Sequence, residues 1–204
     1  FSDFRELARR RLPSPIFNYI DGAADDETTY ERNTKSFEKC DLVPNVLRGT
    51  EDIDMSVSIM GQKLEMPIYC SPTAIQRVFH HQGENAVAAA ADKYGTLFGV
   101  SSLGTASLSE IREQYKGPQC YQFYFHKDRE LNQSMLESAK KANVDVMMLT
   151  VDTITGGNRE RDLRTGFSIP FQLSLGGIFQ FAIKPMWAIN YLTHKKFALP
   201  QLDD

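Results

Sequence analysis

Leu149-Thr150-Val151-Asp152-Thr153-Ile154-Thr155-Gly156-Gly157-Asn158-Arg159-Glu160-Arg161-Asp162 is the stretch on which the fold turns. It continues an apolar run over 144–151 that only Asp145 and Thr150 interrupt. Such a run predicts a strand buried on both faces, as in a parallel sheet. Polarity switches at Asp152, and a glycine turn and two arginines follow. Parallel α/β sheets present sites at the carboxyl ends of their strands, and the pattern suits one. A strand that runs into an ordinary solvated loop has the same pattern.

Upstream the same unit repeats. Pro67-Ile68-Tyr69-Cys70-Ser71-Pro72 reads as a short strand, and a polar turn with Gly83 leads into an Ala-rich helix over 84–93. Gly95 stops that helix, and the strand over 96–100 ends in Ser101-Ser102. Ser107 and Glu110 form a capping box for the next helix. A third strand spans 119–124, and Asp128 opens a helix that runs to about Ala142. Strand starts near 67, 96, 119 and 144, each gap holding a helix, mark successive βα units. Four units make half of a (β/α)8 barrel or a small open sheet. The strand ends Pro72-Thr73-Ala74, Ser101-Ser102, Gln122 to Tyr124 and Thr150 to Asp152 are small or polar, which favours a barrel mouth.

Around this core the expected parts are N-terminal helices and a cap hairpin over 1–66, βα units over 67–166, and an apolar segment over 167–204. Pro13 and Pro15 separate two short helices, Gly22 closes the second, and a third spans about 26–39. Residues 52–63 alternate like a hairpin with a glycine turn. The segment 171–183 is nearly uncharged, with Lys184, Trp187, Tyr191 and Lys195 beside it. It suits an element lying in a bilayer interface, or a lid packed on the barrel or on a sister subunit.

The chain has 204 residues and a net charge of −3, with no basic patch at scale, which argues against a nucleic-acid partner. Cys40, Cys70 and Cys120 are scattered, which argues for a reducing compartment and against structural zinc. The start is charged rather than signal-like, and no run of about 18 apolar residues exists.

No phosphate-binding glycine motif is present. His80-His81 lies just before Gly83 without a companion at ligand spacing, so a turn or capping role is expected and no metal. His126 and His194 are isolated and receive no role. Tyr124 and Arg159 are a phenol and a guanidinium suited to a carboxylate. Asp152 is placed to orient an imidazole base, though no histidine is evident for it.

Six motifs in this chain resemble those of the FMN-dependent L-2-hydroxy-acid oxidases and dehydrogenases, in the same order and spacing. They are Phe17-Asn18-Tyr19-Ile20-Asp21-Gly22-Ala23-Ala24-Asp25, Ser71-Pro72-Thr73-Ala74, Val100-Ser101-Ser102, Tyr121-Gln122-Phe123-Tyr124, Leu149-Thr150-Val151-Asp152-Thr153 and Gly157-Asn158-Arg159-Glu160-Arg161-Asp162. The resemblance runs from about Phe4 onward. Arg159 to Leu163, Trp187 and Pro200-Gln201-Leu202 look most like the membrane-associated mandelate dehydrogenase branch.

The resemblance implies a TIM barrel with FMN at its mouth. Pro72, Thr73 and Ala74 would lie along the flavin, and Ser101, Gln122 and Thr150 would bind its polar edge. Tyr19, Tyr124 and Arg159 would bind a lactate- or mandelate-like 2-hydroxy acid, and Asp152 would pair with a catalytic histidine. Leu103 stands where glycolate oxidases carry tryptophan, which should admit larger substrates. The family's flavin-contacting lysine, histidine base and second arginine lie beyond this stretch. The expectation is therefore the N-terminal half of an enzyme, incomplete for catalysis and partnered by the missing C-terminal half of the barrel. The resemblance further implies a quinone or oxygen acceptor, a homo-oligomer such as a tetramer, and a cytoplasmic location, peripheral on the inner membrane. A non-catalytic half-barrel that binds a ligand or pairs through its open edges is the competing reading.

Overall fold

The computed structural model describes residues 1–49, 51–168, 179, 181–195 and 197–202. They fall into two compact units, one from Phe1–Ile53 with Thr155–Ile189, the other from Asp54–Ile154 with Asn190–Asp204.

The first unit is helical. Helix α1 (Ser2–Arg11) is followed by α2 (Ser14–Asp21), which Pro15 begins and Gly22 ends. Ile16 and Phe17 are its buried face. Helix α3 (Thr28–Lys35) stops short of the expected length because Ser36–Lys39 tightens into a 3-10 turn. Helix α8 (Glu160–Thr165) packs against α2 and ends at Gly166, whose φ of +70° is a left-handed conformation that glycine adopts without penalty. An ion cluster reinforces this packing. The Asp21 carboxylate accepts from Arg5 at 2.5 and 2.8 Å and from Arg161 at 3.0 Å, and Arg161 also pairs with Glu27. These guanidiniums, Arg5 first, hold the Asp21 carboxyl below the usual carboxylate range.

The second unit holds the sheet. An antiparallel hairpin pairs β1 (Val57–Ile59) with β2 (Gln62–Leu64). Its two turn residues, Met60 and Gly61, both have positive φ, which matches a tight hairpin to strand twist. A parallel sheet runs β3 (Phe98–Ser101), β4 (Gln119–Tyr124), β5 (Val146–Thr150) in spatial order. The expected strand at 67–72 is reduced to one parallel bridge, Cys70 to Phe98. Gly99 N–H donates to Cys70 O at 2.7 Å, and Cys70 N–H to Leu97 O at 2.9 Å. Prolines at 67, 72 and 118 limit ladder donors here.

Helices α4 (Gln76–Phe79), α5 (Glu84–Lys93), α6 (Leu108–Gln114) and α7 (Arg129–Lys141) connect the strands. The Asp128 carboxylate caps α7, accepting from Glu130 N–H at 2.9 Å and Leu131 N–H at 3.2 Å. Ser107 Oγ accepts from Glu110 N–H at 3.1 Å, half of the expected capping box. Glu110 spends its carboxylate elsewhere, on Arg77, Asn85 and Lys195.

One face of the sheet packs on these helices. Phe98, Val100, Tyr121 and Phe123 meet Ala88, Ala91, Leu108, Ile111 and Met135 in one buried cluster. Each fully buried large side chain there contributes about 1.5–3 kcal/mol. The other face carries Leu97, Cys120, Val146 and Met148, packed on Leu64 and Val57 of the hairpin. Strand β5 departs from expectation. It is half-exposed rather than buried, with Met147 and Leu149 in solvent. The cause is its position at the edge of the sheet, where no described element covers those side chains. The last helix described, α9 (Pro185–Thr193), buries Trp187, whose ring stacks on Phe181 at 5.2 Å. Most of the apolar segment at 171–183 lies outside the described residues.

Candidate functional site

The strand register brings three of the expected residues together. Ser101 lies opposite Gln122 in the parallel ladder, and Gln122 is opposite Met148, two residues before Thr150. Residues two apart in a strand share a face, so Ser101, Gln122 and Thr150 point the same way. Hydrogen bonds connect them across the three strands. Ser101 Oγ donates to Gln122 Oε1 at 3.3 Å, and Gln122 Nε2 donates to Thr150 Oγ1 at 2.7 Å. Gln122 Oε1 also accepts from Ser102 N–H at 3.4 Å, and Ser101 Oγ from Leu103 N–H at 3.1 Å. Ser101 and Gln122 are buried and Thr150 half-buried. Buried polar side chains at strand ends are costly unless paired, and here they pair with one another. Ser102 Oγ is buried with no partner among the described residues.

The segment Pro72-Thr73-Ala74 begins against β3. A side chain on Gly99 would stand 2.7 Å from Pro72 Cδ, so the bare glycine admits this close approach. Thr73 is exposed, Pro72 and Ala74 are half-buried, and among the described residues the Thr73 hydroxyl makes only a long 3.5 Å contact to Ser71 O. Ile75 follows with φ +51°, a left-handed conformation unusual for a buried β-branched residue. Tyr124 is half-buried at the end of β4, paired in register with Thr150. Asp152 is exposed just past β5.

Tyr19 and Arg159 belong to the first unit, where they are neighbours. The Arg159 guanidinium carbon lies 4.9 Å from the Tyr19 ring centre, and Nη2 donates to Tyr19 O. Arg159 Nε donates to Asp162 Oδ2 at 2.6 Å. Phe167 stacks on Tyr19, with the ring centres 4.2 Å apart. Nη1 of Arg159 has no partner among the described residues, and the side chain is one-third exposed. A guanidinium fixed on two sides with donors remaining is suited to bind an anion.

Two features escaped sequence reasoning. Glu84 is fully buried and accepts from Thr105 N–H at 2.7 Å, Thr105 Oγ1 at 2.6 Å and Gln76 N–H at 3.4 Å. An acidic residue in the first turn of an Ala-rich helix reads as a solvated N-terminal charge, so nothing in sequence marks it. The histidines also behave differently. His194, assigned no role, stacks on His81 at 4.0 Å, and the His80 ring lies tilted against His81 at 4.3 Å. Burial, with the neighbouring His80 and His194, holds the His81 imidazole below its usual pKa. Among the described residues no group of three His, Cys, Asp or Glu is arranged to hold a metal.

Comparison with known proteins gives a consistent result. The family model for FMN-dependent dehydrogenase matches residues 8–202. Glycolate oxidase 1 of Oryza sativa subsp. indica is 35% identical over 173 residues, covering 85% of this chain and 47% of the relative. L-lactate dehydrogenase of Vibrio parahaemolyticus is 35% identical over 189 residues, covering 93% and 50%. The crystal structure of the monotopic membrane protein (S)-mandelate dehydrogenase superposes with a TM-score of 0.93 at 28% identity, covering 100% of this chain and 54% of that one. A lactate oxidase from Pediococcus acidilactici gives 0.79 at 31% identity, covering 97% and 53%. The chain spans about half the length of the curated relatives it matches. Its parallel βα units are accordingly those of a partial TIM barrel. On this evidence the chain belongs to the FMN-dependent dehydrogenases, a family of flavin-using 2-hydroxy-acid oxidases and dehydrogenases.

Proposed function

We propose that this chain supplies the flavin-holding strand ends and a carboxylate-binding arginine to an enzyme that oxidises an L-2-hydroxy acid, lactate- or mandelate-like, to the 2-keto acid. The observation that carries the reading is the hydrogen-bonded row Ser101, Gln122, Thr150 at the carboxyl ends of three parallel strands. Two hydroxyls and a carboxamide can each donate and accept, which fits the alternating carbonyl and N–H edge of a flavin. Pro72, Thr73 and Ala74 are assigned to the ring's face, with Gly99 bare beneath Pro72.

Bound FMN supplies the acceptor for the two electrons released when the substrate's Cα–H and O–H become a carbonyl. The chain's own residues then have distinct tasks. Arg159 grips the substrate carboxylate through its remaining donors, with Tyr19 holding the guanidinium in place. Tyr124 binds the substrate's polar end. Asp152 orients a histidine base carried by a further segment of the enzyme, keeping the imidazole ready to take a proton. In this reading turnover requires the remainder of the barrel, and the exposed Met147 and Leu149 of β5 are where that remainder packs. The acceptor for the reduced flavin is a quinone or oxygen.

Peripheral membrane association belongs to the same proposal. A groove of about 390 Å³ in the first unit is lined by Leu7, Arg10, Arg11, Ile183, Pro185 and Met186. Apolar side chains among cations suit the interface of an anionic bilayer. Among the described residues no helix is long and apolar enough to cross a membrane.

The test is flavin content and steady-state turnover of the complete enzyme with L-lactate, glycolate and L-mandelate. Bound FMN and 2-keto acid formation are expected. A protein with no flavin absorbance that takes up no added FMN would instead favour the non-catalytic half-barrel.

A further inference from the structure

Three successive backbone amides after Ala74 are captured by one small network. Ile75 N–H donates to Leu103 O at 2.9 Å, Gln76 N–H to Glu84 Oε1 at 3.4 Å, and Arg77 N–H to Thr105 Oγ1 at 3.0 Å. Thr105 passes the connection on, its hydroxyl donating to Glu84 Oε2 at 2.6 Å and its N–H to Glu84 Oε1 at 2.7 Å. The Arg77 guanidinium closes the ring by donating to Thr105 O. Glu84 and Thr105 are both fully buried. The loop is drawn tightly around the carboxyl group: a Cβ on Gly104 would stand 2.9 Å from Ser101 O and 3.4 Å from Glu84 Oε1.

We propose that Glu84 is a positioning residue for the cofactor site, fixing Pro72-Thr73-Ala74 relative to Ser101-Ser102-Leu103 through Thr105. The inference rests on the assignment of those two segments to FMN. Its physical basis is that a carboxyl group far from any solvent accepts, among the described residues, only from Gln76 and Thr105, each two residues beyond the segment it anchors. It also holds down a strained residue, since Ile75 keeps its left-handed φ only while the amides around it are tied. Truncating Glu84 leaves the buried Thr105 and Gln76 amides without their acceptor, and the two segments lose their common anchor.

The test uses the complete enzyme as wild type, Glu84→Ala, Glu84→Gln and Thr105→Val. Hydrogen exchange is read on peptides covering 73–79 and 101–106, and FMN dissociation by flavin fluorescence. Glu84→Ala should speed exchange in those two peptides alone and weaken FMN binding at least tenfold. Glu84→Gln, which keeps an acceptor for Thr105 N–H, should restore most of both. Thr105→Val retains the N–H and drops the hydroxyl, and it gives the same reading if Glu84→Ala does not fold. Unchanged local exchange, or faster exchange spread evenly over the chain with FMN affinity within twofold, would overturn the proposal. If wild type takes up no FMN, the cofactor assignment fails, while the exchange comparison still decides whether Glu84 joins the two segments.

Discussion

Gln122 Nε2 donates to Thr150 Oγ1 at 2.7 Å, joining the ends of two adjacent parallel strands through side chains rather than backbone. The same carboxamide takes Ser101 Oγ on its other side at 3.3 Å. Replacing it therefore breaks both halves of the row. Gln122→Leu keeps the volume and removes the polarity. We expect FMN affinity to fall about tenfold to a hundredfold, the equivalent of about 1–3 kcal/mol for a lost buried hydrogen-bonding group. Fluorescence titration of the apo-enzyme with FMN measures it. Unaltered affinity would remove Gln122 from the cofactor site.

Gly99→Ala tests the approach of Pro72 to β3. The added methyl would lie 2.7–2.9 Å from Pro72 Cδ, Cγ and N, so one of the two segments must shift. A loss of about 1–3 kcal/mol in stability is expected from overpacking. Chemical denaturation checks it, and a stability equal to wild type would show that the segment yields freely.

Arg159→Lys separates charge from geometry. Lysine keeps the cation and loses the planar fork, along with the Tyr19 ring contact at 4.9 Å. Turnover should survive with kcat/KM for the 2-hydroxy acid reduced by about two orders of magnitude, mainly in KM. An Arg159→Lys enzyme with wild-type KM would take the substrate carboxylate away from this residue.

His81 sets a pH dependence whose sign can be worked out. Its folded-state pKa is lowered by burial first, then by the nearby His80 and His194. The unfolded chain therefore binds the proton more readily, and stability is fully present above the ordinary histidine value of about 6.5. It is lost as pH falls from there toward the folded value. His81→Phe preserves a stackable ring beside His194 and removes the titration. The wild-type melting temperature should fall relative to that of His81→Phe as pH drops from neutral to mildly acidic; parallel curves would exclude His81.

The cationic and apolar groove of the first unit predicts selective binding to anionic vesicles. Exchanging Arg10, Arg11 and Lys184, which also lines the groove, for glutamine should abolish co-sedimentation with vesicles containing anionic lipid, since each basic residue near such a surface contributes about 1 kcal/mol. Equal recovery of both proteins with neutral and anionic vesicles would end the membrane reading.

Much of the sheet was legible because its strands carry their own punctuation. Gly95 before β3, Asp128 before α7 and Met60-Gly61 in the hairpin act within a few residues of where they stand. The row of Ser101, Gln122 and Thr150 was foreseeable as strand-end residues, but its hydrogen bonds depend on register, which only pairing reveals. The strand at 67–72 shrank to a bridge because prolines deprive it of donors. Burial was the least legible property. The apolar run in β5 suggested two covered faces, yet coverage depends on neighbours that the run does not encode. Glu84 shows the converse, a charged residue placed in the interior by two distant loops.

Along β4, Tyr121 and Phe123 face the helices while Cys120 and Gln122 between and before them face the other way. Tyr121 and Phe123 anchor the strand to the helices, while Gln122 between them serves the opposite side. Adding or deleting a single residue ahead of β4 would invert that parity, sending the amide into oil and an aromatic ring into the rim. Side chains on β4 can therefore be exchanged one at a time, whereas a change of length ahead of it reverses every one of them together.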